Sequence, residues 1–378
     1  MRIGLDVTSA VQQGGGIGRY TRELLRALAR ADPYSHYRLF FASQHRPHAL
    51  PPLGPNFHVT ALPFNDIWLA RLWHRARAPL SVEWLTGPLD IFHSPDFTLP
   101  PTRRGTRTLL TVHDLTFVRD PASAAPGLLR YLTDVVPRSV ARAQHVIAVS
   151  QATRTDLMEL YNTPPEKISV IYEGVSDDFA PITDPAALAA VRAQYHLGDA
   201  PFILAVGTLQ PRKNYTRLIQ AFSSLVIRHP SVHLVIAGGP GWLSDSIFAE
   251  VERLRLPGRV LFPGFVTDAD LPALYSAARA LAYPSIYEGF GLPLLEAMAC
   301  GTPVVTSTAA CLPEIAGGAA LLVSPTDVDA LAHALDQLLS AETLRADLIA
   351  KGLARAREFT WAQAAKEVLG LYARVIEN

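Results

Sequence analysis

Ala282-Tyr-Pro-Ser-Ile-Tyr-Glu-Gly-Phe-Gly-Leu-Pro-Leu-Leu-Glu-Ala-Met-Ala-Cys-Gly-Thr-Pro-Val-Val305 is the stretch that decides how this chain folds. An apolar run, Ala280–Tyr283, leads into a turn built on Gly289 and Gly291. A helix follows, stops at Gly301, and gives way to a second apolar run at Pro303–Thr306. Strand, glycine turn, helix, strand is the repeating unit of a parallel α/β sheet. Two carboxylates, Glu288 and Glu296, bracket the turn and the start of the helix. Gly289 and Gly291 let backbone approach a ligand closely. The helix would aim free N–H groups and its positive end at a phosphate. Glu296, eight residues beyond Glu288, can accept hydrogen bonds from a diol such as a ribose. The bare spacing also fits a glycine turn capping a helix with two solvated glutamates.

The same rhythm runs outward in both directions. In the first half the strand candidates are Ile3–Val7, Tyr37–Phe41, His58–Ala61, Ile91–Phe92, Thr108–Val112, His145–Val149 and Ile168–Ile171. Helical periodicity covers Gly18–Ala31 and Gly127–Ala143. The second half begins again with Phe202–Val206, a helix from Tyr215 to His229, His233–Ile236 and Val260–Phe262. A helix near Leu271–Ala278 precedes the quoted unit; Leu321–Val323 and two closing helices follow it. A second complete set of strands predicts two doubly wound halves, residues 1–178 and 179–360. The polar joint Glu173–Pro185 is rich in turn formers. In such sheets ligands sit past the carboxyl ends of the strands.

A chain of 378 residues suits two domains. Lys plus Arg and Asp plus Glu both number 34, which argues against nucleic-acid binding. Residues 1–178 carry 19 basic and 16 acidic side chains, net +3, whereas 179–378 carry 15 and 18, net −3. That sign predicts a first half facing an anionic surface or acceptor. Cys300 and Cys311 make no disulfide framework. Met1 leads straight into a strand-like run, no signal peptide is expected, and no window reaches ~18 uninterrupted apolar residues. A cytoplasmic protein is expected, with peripheral contact at the membrane's inner face left open.

Five constellations carry chemistry. Gly14-Gly-Gly-Ile-Gly-Arg-Tyr-Thr-Arg-Glu23 opens a helix after the first strand and suits either a diphosphate cradle or a flexible loop. Gly207-Thr-Leu-Gln-Pro-Arg-Lys-Asn214 sets Arg212 and Lys213 at a strand end, where cations offset the charge of a departing phosphate. Leu110-Thr-Val-His-Asp-Leu115 ends a strand on His113, able to hydrogen-bond a sugar hydroxyl. His93 ends another strand, and for it a structural role is the preferred reading. Gly238, Gly239 and Phe265 would wall a flat base pocket. Trp68, Leu69, Leu72 and Trp73 would cluster on a helix flanked by Arg71, Arg75 and Arg77. That suits an interfacial helix on an anionic membrane or one packed on the first sheet.

The quoted string, together with Gly-Ile-Gly-Arg-Tyr-Thr-Arg-Glu-Leu-Leu and Pro-Arg-Lys-Asn, resembles glycosyltransferase family four, retaining enzymes of GT-B fold. The motifs are most similar to those of bacterial mannosyltransferases of surface-polysaccharide assembly. The resemblance covers nearly the whole chain, most tightly residues 200–330. It implies two Rossmann-like domains facing across a cleft. The first would bind acceptor and be completed by a returning helix at about 361–378; the second would bind donor. It implies Glu288 beside the donor hexose, Glu296 on the ribose, Arg212 and Lys213 on the diphosphate, and His113 near C6 of the sugar. Gly16, Gly18, Gly207, Gly238, Phe265, Gly289, Phe290, Gly291 and Leu292 would complete the donor site. Arg19, Tyr20, His93 and Phe117 are acceptor-side candidates. No metal or cofactor is implied, and no Asp-x-Asp cluster is present. GDP-mannose is the favoured donor and a glycan or lipid-linked oligosaccharide the acceptor. UDP-, ADP- and dTDP-hexoses, a GT-B epimerase and a silent sugar-binding subunit remain alternatives. A hydrolase fits less well. Retaining glycosidases hold their carboxyl groups ~5 Å apart, whereas eight helical steps separate residues by ~12 Å.

Overall fold

The computed structural model describes residues 1–45 and 47–377. It divides into two compact units. The first comprises Met1–Arg119, Pro126–Gly174 and Thr360–Asn378; the second comprises Asp120–Ala125 and Val175–Phe359.

Seven strands build the sheet of the first unit: β1 (Arg2–Asp6), β2 (His36–Ala42), β3 (Phe57–Leu62), β4 (Ile91–Ser94), β5 (Arg107–Val112), β6 (His145–Ala148) and β7 (Ile168–Val170). Each corresponds to a strand read from the sequence, within one or two residues at either end. Their order is β3-β2-β1-β4-β5-β6-β7, and every pairing is parallel. Ile3, Leu5, Ile91, Leu109, Leu110 and Val146 are fully buried. Unbroken apolar runs are expected of strands covered on both faces. The chain builds outward from β1 to one edge, then returns to β4 and builds to the other. That reversal makes the β1/β4 junction the switch point of this sheet. The helix Trp361–Glu377 belongs to this unit and packs on Ile17–Ala31. Asn378, the last residue of the expected returning helix, lies outside the described residues.

The second unit carries β8 (Phe202–Val206), β9 (His233–Ala237), β10 (Val260–Gly264), β11 (Ala280–Tyr283), β12 (Val304–Ser307) and β13 (Leu321–Val323). The order β10-β9-β8-β11-β12-β13 is again wholly parallel, and its reversal lies between β8 and β11. Ser123 is tied to this unit by the Trp242 indole, whose N–H donates to the Ser123 carbonyl at 2.6 Å.

Two expectations need correction. Three helices close the chain, not two: Val328–Ser340, Glu342–Ala356 and Trp361–Glu377. Ala341 alone separates the first pair, and without glycine or proline at the joint the sequence reads through it. Nor do Trp68 and Trp73 share a face. After one α turn at Asp66–Leu69 the chain winds wider, as a π-helix over Ala70–Arg75. Trp73 is 7% exposed and Trp68 is 59% exposed, with the Arg71 guanidinium over the Trp68 ring. Among the described residues, no helix is long and apolar enough to cross a membrane.

Candidate active site

At the switch point of the second sheet, loops from β8 and β11 meet. The β8 loop ends in a turn, Pro211–Lys213, stopped by Asn214 in the left-handed region at φ 61°. The Asn214 amide then donates to the carbonyls of Pro284, at 3.0 Å, and Pro325, at 2.7 Å. This fixes the turn against the β11 loop. Lys213 Nζ donates to Glu288 Oε1 at 2.7 Å and to the Tyr283 hydroxyl at 2.8 Å. Arg212 Nη1 donates to Glu288 Oε2 and, at 2.8 Å, to the Tyr287 carbonyl. Lys213 and Glu288 are buried, although 75 positions separate them. Burial alone would push the Glu288 carboxyl up. The charges of Arg212 and Lys213 outweigh it and hold that carboxyl at about 2. Two cations on one carboxylate leave the cluster a net single positive charge.

The Glu288 loop is anchored from below. The Cys311 thiol donates to the carbonyls of Glu288 and Phe290, each at 3.1 Å, and Ser307 Oγ donates to the Ser285 carbonyl at 2.6 Å. Gly291 takes φ +101° as the cap of the helix Leu292–Ala299, a conformation that disfavours side chains. That helix starts directly after the cluster. Phe290 and Leu292 are buried, and the Phe290 ring meets Phe359 edge-on. Their side chains serve the core, so these two residues can meet a ligand only through the main chain. Gly289 is buried between them and Glu288. Glu296 lies inside this helix, buried, and accepts from the Tyr275 hydroxyl at 2.9 Å. At the neighbouring strand ends Gly207 and Gly238 nearly touch: a Cβ on Gly238 would sit 2.0 Å from the Gly207 carbonyl oxygen. Phe265, just past β10, is 56% exposed.

In the first unit the candidates separate into two groups. The glycine loop is held by Arg22, whose buried guanidinium donates to the carbonyls of Ala10 (2.8 Å), Gln13 (2.6 Å) and Gly14 (2.7 Å). Gly16 is exposed at φ 51°, with open space where a Cβ would be. Gly18 is buried against the Gln13 and Ser9 carbonyls, which explains its lack of a side chain without any ligand. Arg19 is half-buried at the start of the helix.

His113, just past β5, is buried. Its Nε2 faces the Pro95 carbonyl at 2.9 Å and its Nδ1 faces Glu173 Oε1 at 3.3 Å. Burial favours the neutral ring. The opposing Glu173 carboxylate, Pro95 carbonyl and Asp96 nevertheless raise its pKa. Three other acceptor-side candidates are buried. His93 is 0% exposed, its ring nitrogens engaged by the hydroxyls of Tyr372 at 2.7 Å and Thr111 at 2.8 Å. Tyr20 is buried between His113 and Trp361, and Phe117 packs against Phe97. Sequence reasoning passed over Tyr283, Cys311, Arg22 and Glu173. Tyr283, Arg22 and Glu173 lay in segments it quoted and Cys311 was named only as a cysteine, and none of the four carried a signal of its partner. Among the described residues, no group of three or more His, Cys, Asp or Glu side chains is placed to hold a metal ion.

Comparison with known proteins identifies the family. Residues 14–179 match the model for Glycosyltransferase Family 4, and residues 190–355 match that for glycosyl transferases group 1. The chain is 34% identical to the O-antigen chain mannosyltransferase B of Escherichia coli over 374 residues, covering 94% of this chain and 95% of that protein. It is 34% identical to the O-antigen chain mannosyltransferase RfbU of Salmonella typhimurium over 231 residues, 61% of this chain and 59% of that one. Among solved structures, a sucrose-phosphate synthase from Thermosynechococcus elongatus superimposes with a TM-score of 0.79 at 24% identity, over 100% of this chain and 99% of the other.

Proposed function

This chain belongs to glycosyltransferase family 4, and on that premise we propose that it transfers mannose from GDP-mannose, with retention at the anomeric carbon, to a hydroxyl of a glycan or lipid-linked acceptor in cell-surface polysaccharide synthesis. The observation that carries this reading is the Arg212–Glu288–Lys213 cluster at the β8/β11 switch point, in front of the helix Leu292–Ala299. Its net positive charge and the helix's N-terminal end suit a diphosphate. The kinship with O-antigen mannosyltransferases over almost the full chain supports mannose as the sugar.

In this mechanism the second unit holds the donor. The bond from the anomeric carbon to the phosphate oxygen breaks as Arg212 and Lys213 offset the charge that gathers on the leaving diphosphate. The acceptor oxygen bonds to the same carbon on the face just vacated, and its proton passes to the departing phosphate oxygen. Glu288 stays ionised throughout and holds the two cations in place. Such a site works without a metal ion. The first unit holds the acceptor.

Incubation with GDP-mannose, UDP-glucose, ADP-glucose and dTDP-rhamnose in EDTA tests this. We expect release of nucleotide diphosphate from GDP-mannose alone, at a rate unchanged by chelation. With a mannoside acceptor, NMR of the product shows the α anomer. Release that needs added Mg²⁺, or a β-linked product, would refute the mechanism; release from another nucleotide sugar alone would refute the donor.

A further inference from the structure

We propose that a cavity at the amino edge of the second sheet binds a small phosphorylated molecule through Arg228 and Arg279. The inference is independent of the transferase reading. The cavity has a volume of about 410 Å³ and lies wholly within the second unit. That falls within the range for small-molecule sites, about 300–1,000 Å³. It opens where β8, β9 and β11 begin. Pro201 precedes β8, Val232 precedes β9 and Arg279 precedes β11, and all three line it. The Arg212–Glu288–Lys213 cluster lies past the other ends of β8 and β11. A strand of 5 residues such as β8 spans about 17 Å, so both places can be filled at once.

The walls are fixed by the protein's own contacts. Arg259 pins the loop from His229 to Val232, donating to the Pro230 carbonyl at 2.5 Å and the Val232 carbonyl at 2.6 Å. Asp336, on the helix Val328–Ser340, pairs with Arg228 at 2.8 Å and meets His229 Nε2 at 2.8 Å. In the lining, Arg228 and Arg279 stand beside Pro201, Pro230, Val232 and Leu339, with no Asp or Glu. With Arg259 behind the loop, three arginines face the one carboxylate of Asp336, an excess of two positive charges. That excess lies in the half of the chain whose net charge is −3.

Helix ends do not account for it. Arg228 closes the helix Tyr215–Arg228, where an arginine suits the negative end and needs no ligand. Arg279 differs. It stands just before a strand and is half-buried, and among the described residues its guanidinium has no hydrogen-bond or ion-pair partner. The nearby helix end at Ala277 is already served by Arg192, which donates to that carbonyl at 3.0 Å. A half-buried guanidinium without a counterion is matched by an anion, and its fork of N–H donors fits phosphate oxygens two at a time. The prolines, Val232 and Leu339 suit a less polar body carrying that phosphate.

Calorimetric titration of phenyl phosphate into the full chain tests this, at pH 7.5 in EDTA with excess GDP to occupy the donor cluster. We expect one site per chain with a Kd near or below about 1 mM, and no binding of benzyl alcohol, the uncharged counterpart. Arg279→Ala should weaken phenyl phosphate by about tenfold to a hundredfold, and Arg279→Glu should abolish it. Both variants should melt within about two degrees of the parent, since the side chain has no partner to lose. Without GDP, Lys213→Ala should bind phenyl phosphate as the parent does. No binding by the parent, binding of benzyl alcohol as tight as phenyl phosphate, undiminished binding by Arg279→Glu, or loss in Lys213→Ala each overturns the proposal. GDP is titrated on the same samples. Binding of GDP without phenyl phosphate removes this site alone, and phenyl phosphate without GDP leaves it standing.

Discussion

Glu288→Gln should lower turnover of the nucleotide sugar by about 10²–10³-fold and cost about 3 kcal/mol of stability, or ~6–12 °C in the melting temperature of the second unit. The buried carboxylate accepts from Lys213 at 2.7 Å and from Arg212. A neutral amide of the same shape leaves two neighbouring cations without their counterion. Lys213 and Arg212 then repel each other, and the turn that presents them to a diphosphate loses its anchor on the β11 loop. The acid side of the stability profile gives an independent readout. The Glu288 carboxyl sits at about 2 in the folded protein, below its ordinary 4.5. Its contribution is therefore complete above pH ~4.5 and is lost as pH falls from there toward ~2. In the variant that part of the acid-induced loss should be missing, as seen by following unfolding against pH. An unchanged melting temperature and unchanged turnover would mean that the cluster neither supports the fold nor serves the reaction.

Gly238→Ala should be the most disruptive single methyl in the second unit. The added Cβ would lie 2.0 Å from the Gly207 carbonyl oxygen and 2.6 Å from its carbon. Both are backbone atoms, so neither can swing aside. The Gly238 amide also donates to the Gly264 carbonyl at 2.8 Å, so the β8, β9 and β10 ends move together or not at all. We expect a loss of about 2–3 kcal/mol, the usual cost of overpacking a tight interior, and ~4–12 °C in melting temperature. Gly239 is the control: nothing lies within 4 Å of its added Cβ, so Gly239→Ala should melt within a degree or two of the parent. Equal melting temperatures for the two variants would contradict the packing described for these strand ends.

Much of the fold was legible in the sequence because parallel strands buried on both faces leave short, unbroken apolar runs. Phe202–Val206 and Ala280–Tyr283 could be bounded to the residue for that reason. The missed break at Ala341 and the wide turn at Ala70–Arg75 lack such punctuation: neither holds a glycine or a proline. At the candidate site, residue types were legible and partnerships were not. Arg212, Lys213 and Glu288 were all singled out, yet nothing local says that both cations close on one carboxylate 75 or more positions away. His93 and His113 look alike in sequence, since both stand at strand ends. The helix Trp361–Glu377, from the far end of the chain, decides between them. Its Tyr372 hydroxyl engages the His93 ring, so that ring is structural, while His113 is left facing Glu173.

The β8/β11 cluster is proposed to hold the diphosphate of a nucleotide sugar. Calorimetric titration of GDP into the full chain in EDTA, with Lys213→Ala alongside, tests it most directly. We expect binding by the parent and a loss of about tenfold to a hundredfold in the variant, the worth of one charge-assisted contact. Binding of equal strength to both proteins, or to neither, would contradict it.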